Sequence, residues 1–503
     1  MVLNMKSAAN TETENRVCDW IKPEQIARYL DGGRCFIDAS AIRQRLEEDP
    51  ECDPGRVDAI LQKSLAIDTL SPDETACLLN VNDPDMLARM EHTAGEVKKK
   101  VYDNRIVTFA PLYVSNFCVN NCVYCGFRRS NQDAQRAKLS LEQIKQETEV
   151  LAGKIGHKRL IVVYGEHPST DAEYIASTLQ AIASVSVKTR MGTGRIRRCN
   201  VNAAPMSVED LKILKGVGIG TFQVFQETYH RPTYETVHPK DTIKGDYLWR
   251  LYAMHRAMEA GCDDVGIGVL FGLYDWKFEV MALLHHAIEL ESKFGVGPHT
   301  ISFPRLEPAD NTPFTQNPRY AVSDADFRKL VTVIRLSVPY TGMILTARED
   351  AECRRNILPL GCTQTDASSR IGVGAYARQS EAQQGDIQQF LLGDIRSLDT
   401  VVRELAESGW ITSFCTAGYR CGRTGDKIME LLKCGKEGQF CKLNAVITFR
   451  EWLDDFATDQ TKAVGEKLIQ KEMQEVKEQL PEWYPALMKV YEKVKAGQRD
   501  VYF

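Results

Sequence analysis

The sequence predicts an α/β fold, namely a (βα)8 barrel of the TIM type with helical extensions at both ends. Between residues 105 and 375, eight short apolar runs alternate with segments of helical periodicity. Polar residues repeatedly follow the ends of these runs, where such barrels carry their catalytic groups. We therefore predict a helical N-terminal extension (1–104), the barrel (105–375) and a cysteine-containing helical C-terminal domain (376–503).

The eight apolar runs are the predicted strands of this barrel. They cover residues 106–114, 159–164, 198–203, 221–226, 264–270, 299–304, 342–346 and 361–365. Strands of a barrel are buried on both faces, so continuous apolar runs are expected. Helix-period segments near 140–153, 171–184, 207–215, 246–260, 275–294, 323–336 and 349–355 supply the connections between parallel strands.

Composition and charge exclude several classes of function. The chain has 503 residues, a net charge of −5 and a pI near 6.1, so no basic surplus favours a nucleic acid or an anionic membrane. Neither a run of about 18 apolar residues nor a secretory signal is visible, so we expect a cytoplasmic protein, with an organelle matrix equally open. A small-molecule substrate is the expectation. We interpret Cys18, Cys35, Cys52 and Cys77 as ordinary packed or surface thiols.

Cys118, Cys122 and Cys125 follow the first predicted strand with the spacing C-x3-C-x2-C. A cubane iron–sulfur cluster normally takes four thiolates, so three cysteines would leave one iron open to a small molecule. The alternative, a structural zinc site, wants four nitrogen or sulfur ligands. No fourth cysteine or histidine lies close by in the sequence, which favours the iron–sulfur cluster.

This spacing, with the aromatic Tyr124 before the last cysteine, resembles the signature of radical S-adenosylmethionine (SAM) enzymes. The resemblance implies a 4Fe-4S cluster whose open iron binds the methionyl group of SAM. An electron from the cluster then cleaves SAM to a 5′-deoxyadenosyl radical. A reductant such as ferredoxin or flavodoxin is implied as the electron donor.

The ends of three other predicted strands offer ligands for SAM and a substrate. Gly165 and Glu166 follow the second strand and suit the ammonium group of SAM, and the fourth strand ends in Gln226 and Glu227. We predict that these four residues, with Tyr124, bind the cofactor. The seventh strand ends in Thr346 and Arg348, a hydroxyl and a guanidinium suited to clamp a substrate carboxylate. Taken singly, each carboxylate or arginine has an alternative role as a surface charge or salt-bridge partner.

A second cysteine cluster lies in the C-terminal region. Cys415, Cys421, Cys434 and Cys441 fall within 27 residues. One interpretation is a second iron–sulfur cluster, for which Cys415, Cys421 and Cys441 are our candidate ligands. The other is a set of free thiols on a helical tail, because no C-x2-C pair is present.

Over nearly its whole length the chain resembles the radical SAM tyrosine lyases, and most closely those that mature FeFe-hydrogenase. The resemblance is carried by 118–128, 226–234, 264–274, 295–300, 339–345 and 499–503. The related lyases of thiamine biosynthesis share the barrel motifs but lack the C-terminal cysteines. The resemblance implies cleavage of the Cα–Cβ bond of L-tyrosine to p-cresol and dehydroglycine, which supplies carbon monoxide and cyanide to the hydrogenase. Other hydrogenase maturation proteins are the implied partners.

Carried over by position, the family's Ser-x-Arg clamp for the tyrosine carboxylate falls on Thr346 and Arg348, with another hydroxyl in place of serine. Two other positions depart from the family pattern. The middle ligand of the auxiliary cluster falls on Gly418, so Cys421 or Cys434 would have to replace it. Glu307 stands where related sequences usually carry a second arginine, which reverses the local charge.

These departures keep two alternative functions open. The chain could be a lyase that stops at dehydroglycine (2-iminoacetate), because its auxiliary cluster motif is altered. It could also be an iron–sulfur scaffold or carrier that has kept the barrel and lost turnover. A SAM-dependent burst of 5′-deoxyadenosine separates an enzyme from a scaffold.

Overall fold

The computed structural model of the protein describes residues 20–48, 52–378, 383, 385–422, 425, 427, 430–431 and 437–503. Its strands are β1 (Arg105–Ser115), β2 (Arg159–Tyr164), β3 (Val187–Lys188), β4 (Thr193–Gly194), β5 (Arg198–Asn202), β6 (Phe222–Gln223), β7 (Val265–Gly268), β8 (Thr300–Ser302), β9 (Gly342–Leu345), β10 (Gln364–Asp366) and β11 (Ile411–Ser413). Strands β1, β2 and β5 to β10 form a parallel barrel, which closes because β10 pairs with β1. The predicted (βα)8 barrel is confirmed, and each of its strands overlaps the apolar run that predicts it.

Strand β1 is the strand at which the barrel closes. All of its eleven residues are buried, and it pairs in parallel with β2, β10 and β11. The closing register aligns Val107 with Gln364 and Phe109 with Asp366. Parallel strands place their carboxyl ends at one edge, so the residues that follow them meet at one mouth of the barrel.

Helices precede, connect and follow the strands. The α-helices are α1 (Glu24–Ala27), α2 (Ala39–Glu48), α3 (Pro54–Leu65), α4 (Pro72–Asn80), α5 (Pro84–Tyr102), α6 (Leu141–Glu149), α7 (Ala172–Ser184), α8 (Val208–Val217), α9 (Arg231–Val237), α10 (Tyr247–Leu251), α11 (Ala253–Glu259), α12 (Trp276–Phe294), α13 (Asp324–Ser337), α14 (Ala351–Ile357), α15 (Leu398–Glu407), α16 (Ala417–Arg420), α17 (Glu437–Asp455), α18 (Asp459–Gln479) and α19 (Tyr484–Lys495). Short 3-10 turns lie at Pro168–Thr170, Ile243–Gly245, Pro313–Thr315, Leu358–Leu360 and Gly385–Ile387, and a π-turn at Val150–Ile155 extends α6.

Many helices begin at a serine, threonine or aspartate whose side chain accepts a backbone N–H. Ser71 illustrates the rule at the start of α4. Its hydroxyl accepts the N–H of Glu74 at 3.2 Å, and the Glu74 carboxylate accepts the N–H of Ser71 at 2.6 Å. This reciprocal pair is a capping box, which satisfies two backbone donors that the first helical turn would otherwise leave unpaired.

The helices before the barrel pack against its flank, with α5 lying along α13. Cys52 and Cys77 in this region are joined by a disulfide, so the prediction that both are ordinary thiols is wrong. Their Cα atoms are 5.4 Å apart, which is within bridging distance. Cys35 is a free thiol that is partly buried, and Cys18 lies outside the described residues.

After the barrel, α15 leads into β11, which pairs with the first residues of β1. Helix α17 contributes Glu451, a fully buried carboxylate. It accepts hydrogen bonds from Lys158 Nζ at 2.7 Å and from Arg197 Nη1 at 3.1 Å. Burial would raise the pKa of Glu451, but the two cations outweigh burial and hold it at about 2. This ion cluster joins the C-terminal helices to the barrel. In the part of the chain described above, no helix combines the length and apolar character needed to cross a bilayer.

Replacing Glu451 with alanine should lower the free energy of unfolding by about 3–5 kcal/mol, because two buried cations lose their counter-charge. Urea unfolding at pH 7 measures the change. The matched control Glu482→Ala, at an exposed position, should shift it by less than about 0.5 kcal/mol. Since the folded-state pKa lies below the ordinary value of 4.5, the stabilisation is complete above pH 4.5 and disappears as the pH falls towards 2. Equal stability of Glu451→Ala and wild type at pH 7 would contradict this account.

Candidate active site

A cavity of about 220 Å³ opens at the mouth of the barrel where the strand ends meet. The side chains of Cys118, Cys122 and Cys125 line it. So do the predicted ligands from three other strand ends, which are Gly165, Glu166, Glu227, Thr346 and Arg348. The structure therefore brings together residues that are far apart in the sequence.

The cysteine loop is anchored by Asn120, which is fully buried between the first two cysteines. Its amide nitrogen donates to one carboxylate oxygen of Glu166 and lies 3.7 Å from the sulfur of Cys118. Its amide oxygen accepts the backbone N–H of Lys244 at 3.0 Å. The other oxygen of Glu166, Oε1, is buried and has no hydrogen-bond partner among the described residues. One carboxylate oxygen of Glu166 thus has no protein donor among the described residues.

Gly165 lets the end of β2 approach the cysteine loop closely. A Cβ at this position would lie 2.2 Å from the carbonyl oxygen of Phe117, far inside van der Waals contact. Gly165 also donates its N–H to Ser115, and Val119 donates to the carbonyl of Glu166. The absent side chain is therefore what permits the packing of the loop against the strand end.

Glu227 follows β6 with a left-handed backbone, φ +70°, which a non-glycine residue adopts only when its surroundings hold it there. Lys244 Nζ and Arg250 Nη2 donate to its Oε1 at 2.7 and 3.2 Å. Burial would raise the pKa of Glu227, but these two cations outweigh burial and hold the pKa below its usual value. Glu227 is therefore an anion on the cavity wall that is already paired with protein cations.

Thr346 and Arg348 differ from Glu227 because their polar groups lack partners. The hydroxyl of Thr346 is buried without a hydrogen bond among the described residues. The guanidinium of Arg348 stacks on the ring of Phe390, with its Cζ 3.3 Å from the ring centroid, and makes no hydrogen bond in the described chain. Burial lowers the pKa of Arg348, although Tyr113, Glu307 and Glu227 oppose the shift. Thr346 and Arg348 line the same cavity, and a hydroxyl beside a guanidinium is a pair suited to bind an anion.

The other predicted rim residues have different surroundings. Tyr124 lines the cavity with its ring and shares a 2.7 Å hydrogen bond with Nε2 of His238. Gln226 is buried but is not among the residues that line the cavity. Arg305, which follows β8, forms salt bridges with Glu349 and Asp324. Burial raises the pKa of Glu307 to about 7, and this half-buried residue lies outside the cavity lining.

Several residues that hold the site escaped the sequence analysis. Asn120 lies inside the cysteine motif, where a buried polar residue could have been suspected. Lys244 and Arg250 come from the segment after β6, and nothing in their spacing marks them. Gln389 approaches from beyond the barrel, with Nε2 3.6 Å from the sulfur of Cys125 and Oε1 accepting the hydroxyl of Tyr113 at 3.1 Å.

Comparison with known proteins gives consistent matches. Residues 112–285 match the Radical SAM superfamily, and residues 302–411 match the Biotin and Thiamin Synthesis associated domain. The 2-iminoacetate synthase of Salmonella typhimurium is 29% identical over 71% of this chain and 89% of its own length. A crystal structure of HydG, a maturase of the [FeFe]-hydrogenase, is 47% identical with a TM-score of 0.88, covering 93% of this chain and 100% of that one. HydG from Carboxydothermus hydrogenoformans is 35% identical with a TM-score of 0.74, covering 91% and 98%.

The chain belongs to the HydG family of radical SAM tyrosine lyases. It is therefore an enzyme of the radical SAM class, and this class implies a 4Fe-4S cluster and SAM. The cavity fits both groups. Three thiols line one wall, and the unpartnered Oε1 of Glu166 is an acceptor suited to the ammonium of SAM. Among the described residues, no three cysteine, histidine or acidic side chains are drawn together as tightly as in an assembled metal centre.

The C-terminal cysteines are brought together only in part. Cys415 follows β11 and is hydrogen-bonded to Arg105 at the start of β1, and Cys441 on α17 also lies within electrostatic reach of Arg105. Burial would raise the pKa of Cys415, but Arg105, Arg159 and Arg198 outweigh burial and lower it. Cys421 is exposed, and its thiol points to the carbonyl of Phe503 at 3.7 Å. Cys434 lies outside the described residues.

Replacing Gly165 with alanine should displace the cysteine loop, because the new methyl group overlaps the carbonyl of Phe117. We expect the iron content of the reconstituted protein and its SAM cleavage to fall at least about tenfold, as for a misplaced catalytic group. The matched control is Gly216→Ala in α8, where nothing lies within 4 Å of the added methyl. It should keep full activity and gain about 0.5–1 kcal/mol of stability. Full iron and activity in Gly165→Ala would show that the loop does not depend on this contact.

Proposed function

We propose that this protein cleaves the Cα–Cβ bond of L-tyrosine to p-cresol and dehydroglycine. The observation that carries the proposal is the pair Thr346 and Arg348, which lines the same cavity as the three thiols. The Thr346 hydroxyl has no hydrogen-bond partner among the described residues. A free amino acid bound through its carboxylate at this clamp would present its amino group to the interior of the cavity. Family membership supports tyrosine as that amino acid.

The residues that line the cavity fall into two groups, one for the cluster with SAM and one for the substrate. Cys118, Cys122 and Cys125 would hold the cluster, with Gly165, Glu166 and Asn120 shaping the space for SAM. When bound, the cluster and SAM supply a 5′-deoxyadenosyl radical. Arg348, stacked on Phe390, would hold the substrate carboxylate so that the amino group faces that radical. The apolar wall, which includes Phe109, Ile161 and Ile344, excludes water from the reaction.

The proposed reaction balances with two electrons from an external reductant. One electron would be used at the cluster and SAM, which would supply the radical that takes one hydrogen atom from the amino group of the substrate held by Arg348. Homolysis of Cα–Cβ then leaves the imine dehydroglycine and a 4-hydroxybenzyl radical, which a second electron and a proton convert to p-cresol. A ferredoxin or flavodoxin is the proposed electron donor, and other hydrogenase maturation proteins are the proposed partners.

We further propose that dehydroglycine is converted to carbon monoxide and cyanide at the C-terminal cysteines. Cys415 and Cys441 beside Arg105 support this step, because guanidinium groups stabilise the charge of a thiolate-bound cluster. The alternative is a lyase that releases dehydroglycine. The alternative is supported by Gly418, which stands where the family's middle ligand falls, and by the Cys421 thiol, which lies 3.7 Å from the carbonyl oxygen of Phe503.

Changing Thr346 to valine or Arg348 to lysine should weaken tyrosine binding and leave SAM binding intact. Removal of one hydrogen bond to a carboxylate costs about 1.5–3 kcal/mol, so we expect KM for tyrosine to rise about 10- to 100-fold. Anaerobic p-cresol formation with SAM and dithionite gives KM and kcat. The control Thr236→Val, on the exposed face of α9, should behave as wild type. An unchanged KM in both clamp variants would remove the basis of the proposed substrate.

The same assay separates the two candidate products. If the auxiliary site functions, carbon monoxide and cyanide should accompany p-cresol. Cys415→Ala should abolish both of these products while p-cresol formation persists. Cys421→Ala should abolish them too, because Cys421 is a predicted ligand of the auxiliary cluster. Formation of p-cresol without carbon monoxide or cyanide in the wild type would identify a lyase that releases dehydroglycine. Deoxyadenosine without p-cresol would point to another substrate.

A further inference from the structure

A stretch of chain beyond the last barrel strand lines one side of the active-site cavity with Gln389, Phe390 and Leu392. Hydrogen bonds fix its backbone at both ends. Gly126 in the cysteine loop donates its N–H to the carbonyl of Gln389 at 3.0 Å, and the side-chain amide of Gln383 pairs with the N–H and the carbonyl of Leu392 at 2.8 and 2.9 Å. A Cβ at Gly126 would lie 2.7 Å from the carbonyl oxygen of the residue before Gln389. The stretch is therefore held closely against the cysteine loop.

The side-chain amide of Gln389 is oriented by Tyr113, near the end of β1. The phenol hydroxyl of Tyr113 donates to Oε1 of the amide at 3.1 Å. The other end of the amide, Nε2, lies 3.6 Å from the sulfur of Cys125, and sulfur accepts hydrogen bonds at longer distances than oxygen because it is the larger atom. An amide whose oxygen is already engaged presents a donor to the sulfur.

Gln389 differs from the other donors to the cysteine sulfurs. Nδ2 of Asn120 lies 3.7 Å from the sulfur of Cys118, and the backbone nitrogen of Phe127 lies 3.4 Å from the sulfur of Cys125. Both of these donors belong to the cysteine loop itself. Gln389 lies 264 residues further along the chain than Cys125, so only the closed fold brings its amide to the sulfur.

Hydrogen bonds to the sulfur ligands of an iron–sulfur cluster favour its reduced form, because they stabilise the added negative charge. We propose that Gln389 is a positioning residue that acts through Cys125 and raises the reduction potential of the cluster at the cysteine loop. An external donor must reduce this cluster, so a higher potential makes the electron transfer more favourable. This inference rests on the proposed function in one respect, which is the role of Cys125 as a cluster ligand, and it does not depend on the substrate. Phe390, the next residue, stacks on Arg348, so the same stretch contacts both the cluster ligand and the clamp.

The experiment is a redox titration of the reconstituted full-length protein without SAM or tyrosine, followed by EPR spectroscopy of the reduced cluster. The parent protein carries Cys415→Ala, which removes the proposed auxiliary cluster from the signal. Gln389→Met keeps the length of the side chain and removes the donor. At a fixed solution potential, the ratio of reduced to oxidised cluster should fall about tenfold, which is 59 mV for a one-electron couple. Tyr113→Phe, which removes the hydroxyl that orients the amide, should shift the potential in the same direction by less.

The matched control is Gln388→Met, the same change one residue earlier, at a side chain that does not line the active-site cavity. Its iron content and its potential should equal those of the parent. A second readout is independent of the potential, because deuteron ENDOR spectra of the reduced cluster in D2O should lose one exchangeable coupling in Gln389→Met.

Equal potentials in the parent and Gln389→Met would overturn the proposal, and so would an equal shift in Gln388→Met. If Gln389→Met does not retain its iron, Tyr113→Phe carries the same test, and an unchanged potential in that variant overturns the proposal. A shifted potential in a protein that forms no p-cresol would refute the proposed substrate while leaving the role of Gln389 standing. Formation of p-cresol with an unchanged potential would have the opposite meaning.

Discussion

Burying a charged side chain costs several kcal/mol unless an opposite charge accompanies it, and this barrel buries many. Glu227 forms salt bridges with Lys244 and Arg250, and Glu451 forms salt bridges with Lys158 and Arg197. These pairings hold the architecture together, because each one joins separate elements of the fold. The first pair ties the end of β6 to the helices that follow it, and the second ties the C-terminal helices beneath the barrel.

The same constraint makes the exceptions informative. Glu166 and Thr346 each carry a buried oxygen without a hydrogen-bond partner among the described residues, and both residues line the active-site cavity together with Arg348. The cysteine loop lines the same cavity, where the family binds SAM and substrate. A bound ligand would supply the partners that these oxygens lack.

The sequence predicts much of this architecture because the decisive signals are local. Strand β1 is apolar throughout, and the three cysteines fall within eight residues, so neither needs tertiary information. The partners of the site are a different matter. Phe390 and Gln389 reach the cavity from beyond the last barrel strand, and only the closed fold places them there. The disulfide between Cys52 and Cys77 escaped prediction because chain spacing does not reveal which thiols become neighbours.

The direction in which a side chain points also cannot be read from the spacing of residues in the sequence. Cys421 lies six residues after Cys415, yet it faces the chain terminus, whereas Cys441, twenty residues further, lies near Arg105. Gly418 lies on α16, between Cys415 and Cys421 in the chain. A cysteine near a lost ligand in the sequence does not automatically replace it, because successive side chains of a short helix point to different sides.

Strand β1 has a consequence for how such a protein can change over time. Arg105 at its first residue accompanies Cys415, and the cysteine loop begins just after its last residue. Eleven residues of strand span roughly 35 Å, so the two groups of cysteines occupy opposite ends of the barrel. Selection can relax at one end without disturbing the other. A lineage can therefore lose or rebuild its auxiliary chemistry while the radical chemistry at the mouth remains under constraint.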